Sequence, residues 1–184
     1  EKLDRNIITP TTKGVHDAPI TKTEILEQNY LTEEQYNFIE SKTHQLFSYG
    51  QMVARSKGLI LVDTKYEFGF YNNKIILIDE IHTCDSSRYW KLDSYEQRMS
   101  EGLEPEKLDK DLVRYYVKQK CNPYKEPIPE IPQSHKDTVS KSYITFYERL
   151  TGNTNEHESW TYNNRDQVQE DYFRNNLNEF VVII

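Results

Sequence analysis

Three charged side chains occupy every second position in one short segment near the middle of the sequence. Asp63, Lys65 and Glu67 have this spacing, and Asp79 and Glu80 follow an apolar run farther along the chain. Two or more carboxylates can hold Mg²⁺, and a lysine can place a positive charge beside a phosphate or a carboxylate. The same pattern also occurs on a solvated sheet face, where cross-strand ion pairs stabilise little. The residue types therefore indicate either a metal and phosphate site or a plain charged face.

The sequence predicts that these charges lie at the ends of two paired strands. Residues 59–62 are an apolar run, and the alternation over residues 63–68 would put charged and uncharged side chains on opposite faces of a strand. Asn72-Asn73 is a hairpin signal, and the apolar residues 75–78 form the return strand.

The register of this hairpin decides whether the acidic groups can share one ion. A two-residue loop pairs Tyr66 with Asp79 and leaves Asp79 on the face opposite to Glu67. A loop one residue longer pairs Lys65 with Asp79 and brings Asp63, Lys65, Glu67 and Asp79 to one face. The sequence leaves both registers open, and a joint metal site requires the second register or an equivalent bulge.

A second group of residues that could take part in binding or catalysis is the run Asp85-Ser86-Ser87-Arg88. The guanidinium of Arg88 offers a planar fork to a carboxylate or a phosphate, and the serine hydroxyls and turn amides add donors. The alternative interpretation is a local turn closed by aspartate or serine, with a surface arginine.

Helices are predicted to flank this antiparallel sheet, which gives an α+β fold. Thr32 can cap a long helix over residues 33–57, with Gln35 as the return partner of a capping box and Gly58 as its end. Further helices are predicted over residues 106–120 and 134–152, with a loop over residues 82–105.

Composition and charge exclude some classes of protein. The 184 residues carry a formal net charge of -7, which argues against a nucleic-acid-binding surface because phosphate contacts need a basic patch. The sequence contains no apolar run long enough for a membrane span. Its two cysteines, Cys84 and Cys121, lack metal-ligand spacing and fit a reducing cytosol.

The sequence predicts a boundary between residues 1–152 and residues 153–184. The second segment is polar at first, with a short helix predicted around residues 166–178 and an apolar strand at residues 180–184. Both ends of the chain look cut. The terminal strand resembles the start of an aminoimidazole ribotide carboxylase domain, and an edge strand of the preceding domain explains it equally well.

Four segments together resemble SAICAR synthetase, in the same order and with similar spacing. One such segment would be a weak signal, whereas four in order are specific, and the resemblance covers about residues 7–152. Two departures are Cys84 in place of the usual proline and Asp111 in place of the common glutamine. The four segments are Thr9-Pro10-Thr11-Thr12-Lys13 with His16-Asp17, residues 58–69, residues 79–90, and residues 108–114.

The resemblance implies an ATP- and Mg²⁺-dependent ligase of purine biosynthesis, with the C-terminal lobe of the SAICAR synthetase fold, which resembles kinases and ATP-grasp enzymes. In this family ATP phosphorylates the carboxylate of carboxyaminoimidazole ribotide, and the amine of L-aspartate then attacks the acyl phosphate. An amide forms, and ADP and phosphate leave. The protein is expected to stabilise charge on the transferred phosphoryl group.

The resemblance also assigns expected roles to individual residues. Lys65, Glu67 and Asp79 are expected to be catalytic. Lys13, Glu67 and Asp79 are expected at the nucleotide, and Asp17, Glu67 and Asp79 at the metal. The substrate is expected to contact Asp63, Lys65, Asp85, Ser86, Ser87, Arg88, Lys110 and Arg114.

The N-terminal lobe of the family has no counterpart in this sequence, so we expect a partner lobe in cis or in trans to complete the ATP site. Three hypotheses remain: one half of the ligase, a ribotide-binding module without activity, and an unrelated kinase-like phosphotransferase. The expected location is the cytoplasm, with small-molecule substrates and neither nucleic acid nor membrane as a partner. The sequence leaves open whether the chain forms a homo-oligomer.

Overall fold

A computed structural model of the chain contains helices and antiparallel strands, and it describes residues 3–13, 17–108 and 110–153 and the backbone of Glu179 and Phe180. This mixture confirms the α+β class, but the described strands form two sheets rather than one. The helices are α1 (Lys22–Glu27), α2 (Glu33–Ser56), α3 (Tyr95–Ser100), α4 (Asp111–Lys120) and α5 (Gln133–Thr151), and the strands are β1 (Leu59–Thr64), β2 (Glu67–Tyr71), β3 (Lys74–Ile78), β4 (Ser87–Lys91) and β5 (Glu179–Phe180).

The chain divides into two compact units. The first contains the described residues up to Ser48 together with Lys65–Glu80, and the second contains Tyr49–Thr64 together with the described residues from Ile81 to 153. No helix in the described ranges is both long and apolar enough to cross a bilayer. The predicted boundary between residues 152 and 153 stays a prediction, because most residues beyond it are not described.

Helix α2 begins and ends where the sequence predicts. The backbone amide of Thr32 donates to the side-chain oxygen of Gln35 at 2.8 Å, and the amide of Gln35 donates to Thr32 Oγ1 at 3.2 Å. These two bonds form the predicted capping box. After the helix, Gly58 has φ 71° and its amide donates to the carbonyl of Arg55 at 3.1 Å. Glycine adopts this left-handed conformation without the steric cost of a Cβ atom.

The hairpin of β2 and β3 closes through the two-residue loop Asn72-Asn73. Both asparagines are left-handed, with φ 49° and 58°, which is the backbone of a type I′ turn. Strand pairing runs from Tyr71 opposite Lys74 to Glu67 opposite Ile78. The structure therefore selects the strict register, and strand pairing ends before Asp79.

The first unit has an apolar core that holds this hairpin against α1 and α2. Tyr66 and Phe68, on either side of Glu67, are only 1% and 3% exposed. Burying an aromatic side chain of this size stabilises a fold by about 1.5–3 kcal/mol, so the backbone that carries Glu67 is firmly anchored. The buried members of the core are Ile25, Leu31, Tyr36, Ile39, Tyr66 and Phe68.

The second unit is built around the antiparallel pair of β1 and β4. Leu59 and Leu61 of β1 and Tyr89 of β4 are buried. Tyr89 also packs on Phe146 of α5, with ring centroids 4.5 Å apart. The register shifts between Leu61 and Asp63, where Asp63 lies opposite Arg88. This bulge takes one residue out of the alternation and brings Asp63 beside the arginine.

The predicted alternating strand over residues 63–68 is divided in the structure. Strand β1 ends at Thr64 and pairs with β4, whereas β2 begins at Glu67 and pairs with β3. Lys65 and Tyr66 lie between the two strands. Alternation cannot therefore relate the side chain of Asp63 to that of Glu67, because each segment follows the pleat of a different sheet.

Two further predictions in the second unit are wrong. The predicted loop over residues 82–105 contains β4 and α3. The helix predicted over residues 106–120 begins only at Asp111, because the residues before it pair with β4. The amide of Lys91 donates to the carbonyl of Glu106 at 2.9 Å, and the amide of Leu108 donates to the carbonyl of Tyr89 at 2.9 Å.

Helix α5 begins one residue before the predicted Ser134 and ends at the predicted glycine. Pro132 has extended backbone at its N-cap, and Gly152 has φ 78° with its amide donating to the carbonyl of Glu148. Farther on, Glu179 and Phe180 pair antiparallel with Phe70 and Gly69. The predicted helix over residues 166–178 and the residues after Phe180 lie outside the described part.

Candidate functional site

In the first unit, two lysines converge on one buried carboxylate. Lys13 and Lys65 each place Nζ 2.7 Å from Glu67 Oε1. Glu67 is 8% exposed, whereas each lysine side chain is nearly half exposed. Lys65 Nζ also lies 3.4 Å from a carboxylate oxygen of Asp17. The structure thus brings together four of the predicted residues, and we call them the lysine–carboxylate network.

Burial and hydrogen bonding oppose each other at Glu67. Burial raises the pKa of Glu67, but hydrogen bonds and charge from Lys13 and Lys65 outweigh it, so the pKa lies below its ordinary 4.5. The hydrogen bond to Glu67 is the main cause that raises the pKa of Lys65. Both shifts favour the charged forms. The network therefore holds two ammonium groups beside a fixed carboxylate, an arrangement that suits a ligand rich in phosphate.

The predicted metal set of Asp17, Glu67 and Asp79 does not gather into one group. In the ranges 3–13, 17–108 and 110–153, no three acidic, histidine or cysteine side chains lie close enough to hold a metal ion together. Asp79 is exposed and has φ 68°, so it leaves the alternation of β3. Mg²⁺ often binds through one or two carboxylates together with waters and substrate phosphates. Glu67 and Asp17, which both lie beside Lys65, are the two carboxylates of the set that fit such an ion.

In the second unit, Arg88 forms the centre of a charged group on β4 and α4. Its Nε donates to Asp63 Oδ1 at 3.0 Å, and its Nη2 bonds the other oxygen of the same carboxylate. Its Nη1 lies 4.0 Å from Asp111, which also lies 3.4 Å from Nη1 of Arg114. Arg88 is 52% exposed at its side chain, so a dissolved anion can reach it.

A chain of hydroxyl groups runs beside this arginine. Thr83 Oγ1 donates to Ser86 Oγ at 3.1 Å, and the serine hydroxyls of Ser86 and Ser87 lie 3.3 Å apart. Ser87 Oγ then donates to Thr64 Oγ1 at 2.8 Å. Ser87 is buried whereas Ser86 is half-buried. The backbone thus forms a local turn, which is closed by Thr83 rather than by aspartate or serine, and this turn fixes the serines next to Arg88.

Lys110 and Asp85 complete the second group. Their charged atoms lie 3.6 Å apart, with Asp85 more exposed than Lys110. The structure thus brings the predicted substrate residues of the second unit together, namely Asp63, Asp85, Ser86, Ser87, Arg88, Lys110 and Arg114, and we call them the arginine–serine group. His16 of the first motif lies outside the described residues.

Sequence reasoning missed residues that hold this group. Thr64 accepts the hydroxyl of Ser87, and Thr83 organises the turn. Asp111 was noted only as a departure from the family, yet it contacts two arginines of the group. The spacing of Asp111 and Arg114 was the available signal for one of these two contacts, because positions i and i+3 of a helix lie on one face.

The comparisons with known proteins agree with these motifs. The family model described as SAICAR synthetase matches residues 1–131. A putative phosphoribosylaminoimidazole-succinocarboxamide synthase 2 of Agrobacterium fabrum is 50% identical over 154 residues, which cover 82% of this chain and 49% of the relative. The chain belongs to the SAICAR synthetase family.

Solved structures share the fold. A structure titled as the SAICAR synthase of Saccharomyces cerevisiae complexed with SAICAR has a TM-score of 0.65 and 32% identity, over 81% of this chain and 47% of that one. Another, titled SAICAR synthetase (Type-2) in complex with ADP, has a TM-score of 0.55 and 25% identity, over 78% of this chain and 48% of that one.

The chain spans about half the length of the curated relatives it matches. Similarity to one of these relatives runs over 98% of the chain, so it extends well past residue 152. The resemblance stated from motifs alone ended near residue 152. That the last residues begin another domain stays a prediction: Glu179 and Phe180 pair with β2 as an edge strand, and the residues after Phe180 lie outside the described part.

Proposed function

We propose that this chain is one half of an ATP-dependent ligase that joins L-aspartate to carboxyaminoimidazole ribotide, with SAICAR, ADP and phosphate as products. The observation that carries the proposal is the double ion pair of Lys13 and Lys65 with the buried Glu67. It stands in a chain of the SAICAR synthetase family. The ADP and SAICAR complexes of the two similar structures support a nucleotide and a ribotide as ligands.

The lysine–carboxylate network is proposed to serve the nucleotide. Lys13 would bind a nucleotide phosphate, and Lys65 would move from Glu67 toward the phosphoryl group that is transferred. Glu67 and Asp17 would hold Mg²⁺, which would supply charge neutralisation of the phosphates when it is bound. An ammonium group that exchanges a carboxylate partner for a phosphate keeps its charge paired throughout.

The arginine–serine group is proposed to hold the anionic ribotide. Arg88 offers donors in a fixed plane, and Ser86 and Ser87 add hydroxyls at its side. Lys110 and Arg114 add positive charge, while Asp63 and Asp85 orient the cations. Lys65 is proposed to approach the ribotide carboxylate at the step in which it is phosphorylated.

The chemistry requires phosphorylation because a free carboxylate is a poor acyl donor. Its leaving group would be oxide, whereas an acyl phosphate releases phosphate. The aspartate amine attacks the acyl carbon, the bond from this carbon to the phosphate oxygen breaks, and the amine loses a proton as the amide forms. Lysines beside the phosphoryl oxygens would stabilise the charge that develops there.

The complete ATP site is proposed to need a second lobe, supplied in cis or in trans. We propose a cytosolic location, in line with the two cysteines, Cys84 and Cys121, which lack Cys-x-x-Cys spacing. Sedimentation would test whether the chain forms a homo-oligomer.

Binding and activity should be tested separately. Calorimetry would measure binding of SAICAR, and of ADP with Mg²⁺, to the chain as it stands. Turnover would be measured as aspartate-dependent ADP release by the chain alone and by a chimera that adds the part of the Agrobacterium fabrum relative that this chain does not match. Arg88→Lys in the chimera is the matched variant, since it keeps the charge and loses the fork.

The outcomes separate the three hypotheses. Turnover by the chimera and not by the chain alone supports one half of a ligase. SAICAR binding without turnover in either protein supports a binding module. ADP release that needs a hydroxyl acceptor and not aspartate would overturn the proposal in favour of a phosphotransferase.

A further inference from the structure

Helix α2 carries a glycine near its middle, at Gly50. Glycine in a helix interior is less favourable than alanine, since it loses more backbone freedom on folding. Gly50 is buried and its φ is not positive, so the backbone conformation does not require it. A close neighbour is the remaining physical reason for a residue without a Cβ atom.

That neighbour is the ring of His82. A Cβ atom on residue 50 would lie 2.5 Å from His82 Cε1 and 2.8 Å from His82 Nε2. It would also lie 2.8 Å from a methyl carbon of Leu61. Ordinary contact begins at 3.4 Å, so alanine would push the ring away by about 1 Å. The imidazole edge therefore rests directly on the backbone of α2.

Other contacts fix His82 at its backbone. It has φ 57°, a conformation that costs energy for a residue with a side chain. Its carbonyl accepts a hydrogen bond from the hydroxyl of the buried Tyr89 at 2.8 Å. The ring thus contacts α2, and the carbonyl is hydrogen-bonded to β4.

The turn that begins after His82 carries the serines of the arginine–serine group. The amide of Ser86 donates to Thr83 Oγ1 at 3.0 Å, and the amide of Ser87 donates to the carbonyl of Thr83 at 3.0 Å. Thr83 is the next residue after His82. Because Thr83 is covalently bonded to His82 and hydrogen-bonded to both serines, a displacement of His82 also displaces Ser86 and Ser87.

We propose that His82 is a positioning residue, and that its ring, seated on Gly50, sets the turn that presents Ser86, Ser87 and Arg88 to the ligand. The proposal rests on the proposed function for the identity of that ligand. His82 acts through the turn and is not itself a catalytic residue. The group depends on glycine at position 50 because the ring occupies the space of a Cβ atom.

The test is a double-mutant cycle on the whole chain, with SAICAR as the probe. Gly50→Ala, His82→Ala and the double variant would be compared by calorimetry, with Ser48→Ala on the exposed side of α2 as the control. We expect Gly50→Ala to weaken binding about tenfold, which is less than the roughly hundredfold effect that a misplacement of about 1 Å can have on a reaction rate. In the His82→Ala background the same substitution should have a clearly smaller effect, because the ring is gone and only the contact with Leu61 remains.

Amide hydrogen exchange gives a second readout that does not need a ligand. Gly50→Ala should speed exchange at Ser86 and Ser87 more strongly when His82 is present than when it is absent, and the urea midpoint should show that each variant is folded. Equal binding and exchange in Gly50→Ala and the original chain overturn the proposal, as does a loss of the same size with and without His82. Absence of SAICAR binding in the original chain overturns the proposed function instead, and the exchange data then decide the positioning role.

Discussion

The replacement of Glu67 by glutamine tests the lysine–carboxylate network most directly. Glu67→Gln keeps the size of the side chain and removes its charge, which leaves Lys13 and Lys65 beside each other without the carboxylate between them. An ion pair with a partly exposed lysine contributes about 0.5–1 kcal/mol. Two pairs at 2.7 Å therefore predict a loss of about 1–2 kcal/mol in the free energy of unfolding near neutral pH.

The assay is urea unfolding followed by circular dichroism. With a slope of about 2 kcal/mol per molar urea, the midpoint should fall by about 0.5–1 M. Glu104→Gln is the matched control, since Glu104 pairs with one lysine at 2.8 Å and its side chain is 77% exposed. Its midpoint should change much less, because water screens that pair.

The pH dependence of the difference supplies the refutation. Hydrogen bonds from lysines hold the pKa of Glu67 below its ordinary 4.5, so the unfolded chain binds the proton more readily than the folded one. The stability that the charge contributes is fully present above pH 4.5 and is lost as the pH falls through the lower folded value. A midpoint difference between Glu67→Gln and the original chain that stays constant below pH 4.5 would refute the argument.

Three further changes have expected outcomes. Tyr89→Phe should lower the free energy of unfolding by about 1 kcal/mol, since it removes the hydrogen bond to the His82 carbonyl. Urea unfolding measures this change, and an unchanged midpoint would contradict the prediction. Arg88→Lys should weaken SAICAR binding at least about tenfold in calorimetry, because lysine cannot reproduce the fork, and Lys118→Arg on the exposed side of α4 serves as its control. Gly152→Ala should cost about 1 kcal/mol from backbone strain alone, since no atom lies near enough to collide with the new methyl group; a stabilised protein would show that reasoning to be wrong.

Sequence patterns predicted those elements whose cause is local. The capping box of Thr32 and Gln35, the left-handed Gly58 and the Asn72-Asn73 turn each depend on a few neighbouring residues. The same holds for the end of α5 at Gly152. The sequence motifs also identified the residues of both charged groups and the family to which the chain belongs.

Tertiary pairing decided what local patterns left open. Charged and uncharged residues do alternate over residues 63–68, but β1 and β2 belong to different sheets. The charged side chains of that segment therefore lie in two separate groups. Residues 106–108 have helix-compatible types, yet they pair with β4 because its edge offers unpaired backbone groups. The three residues of the predicted metal set do not come together, because the strict two-residue turn and the left-handed backbone of Asp79 fix where Asp79 lies.

The sequence by itself thus determined the caps, the turns and the kinds of side chain available for chemistry, since these depend on neighbours along the chain. Only the tertiary structure decided which charges meet: Glu67 with Lys13 and Lys65, and Arg88 with Asp63. These contacts between charged side chains depend on which strand edges pair and on which apolar faces are buried. Those choices minimise unpaired backbone groups and exposed apolar surface over the whole chain, and no local pattern contains them.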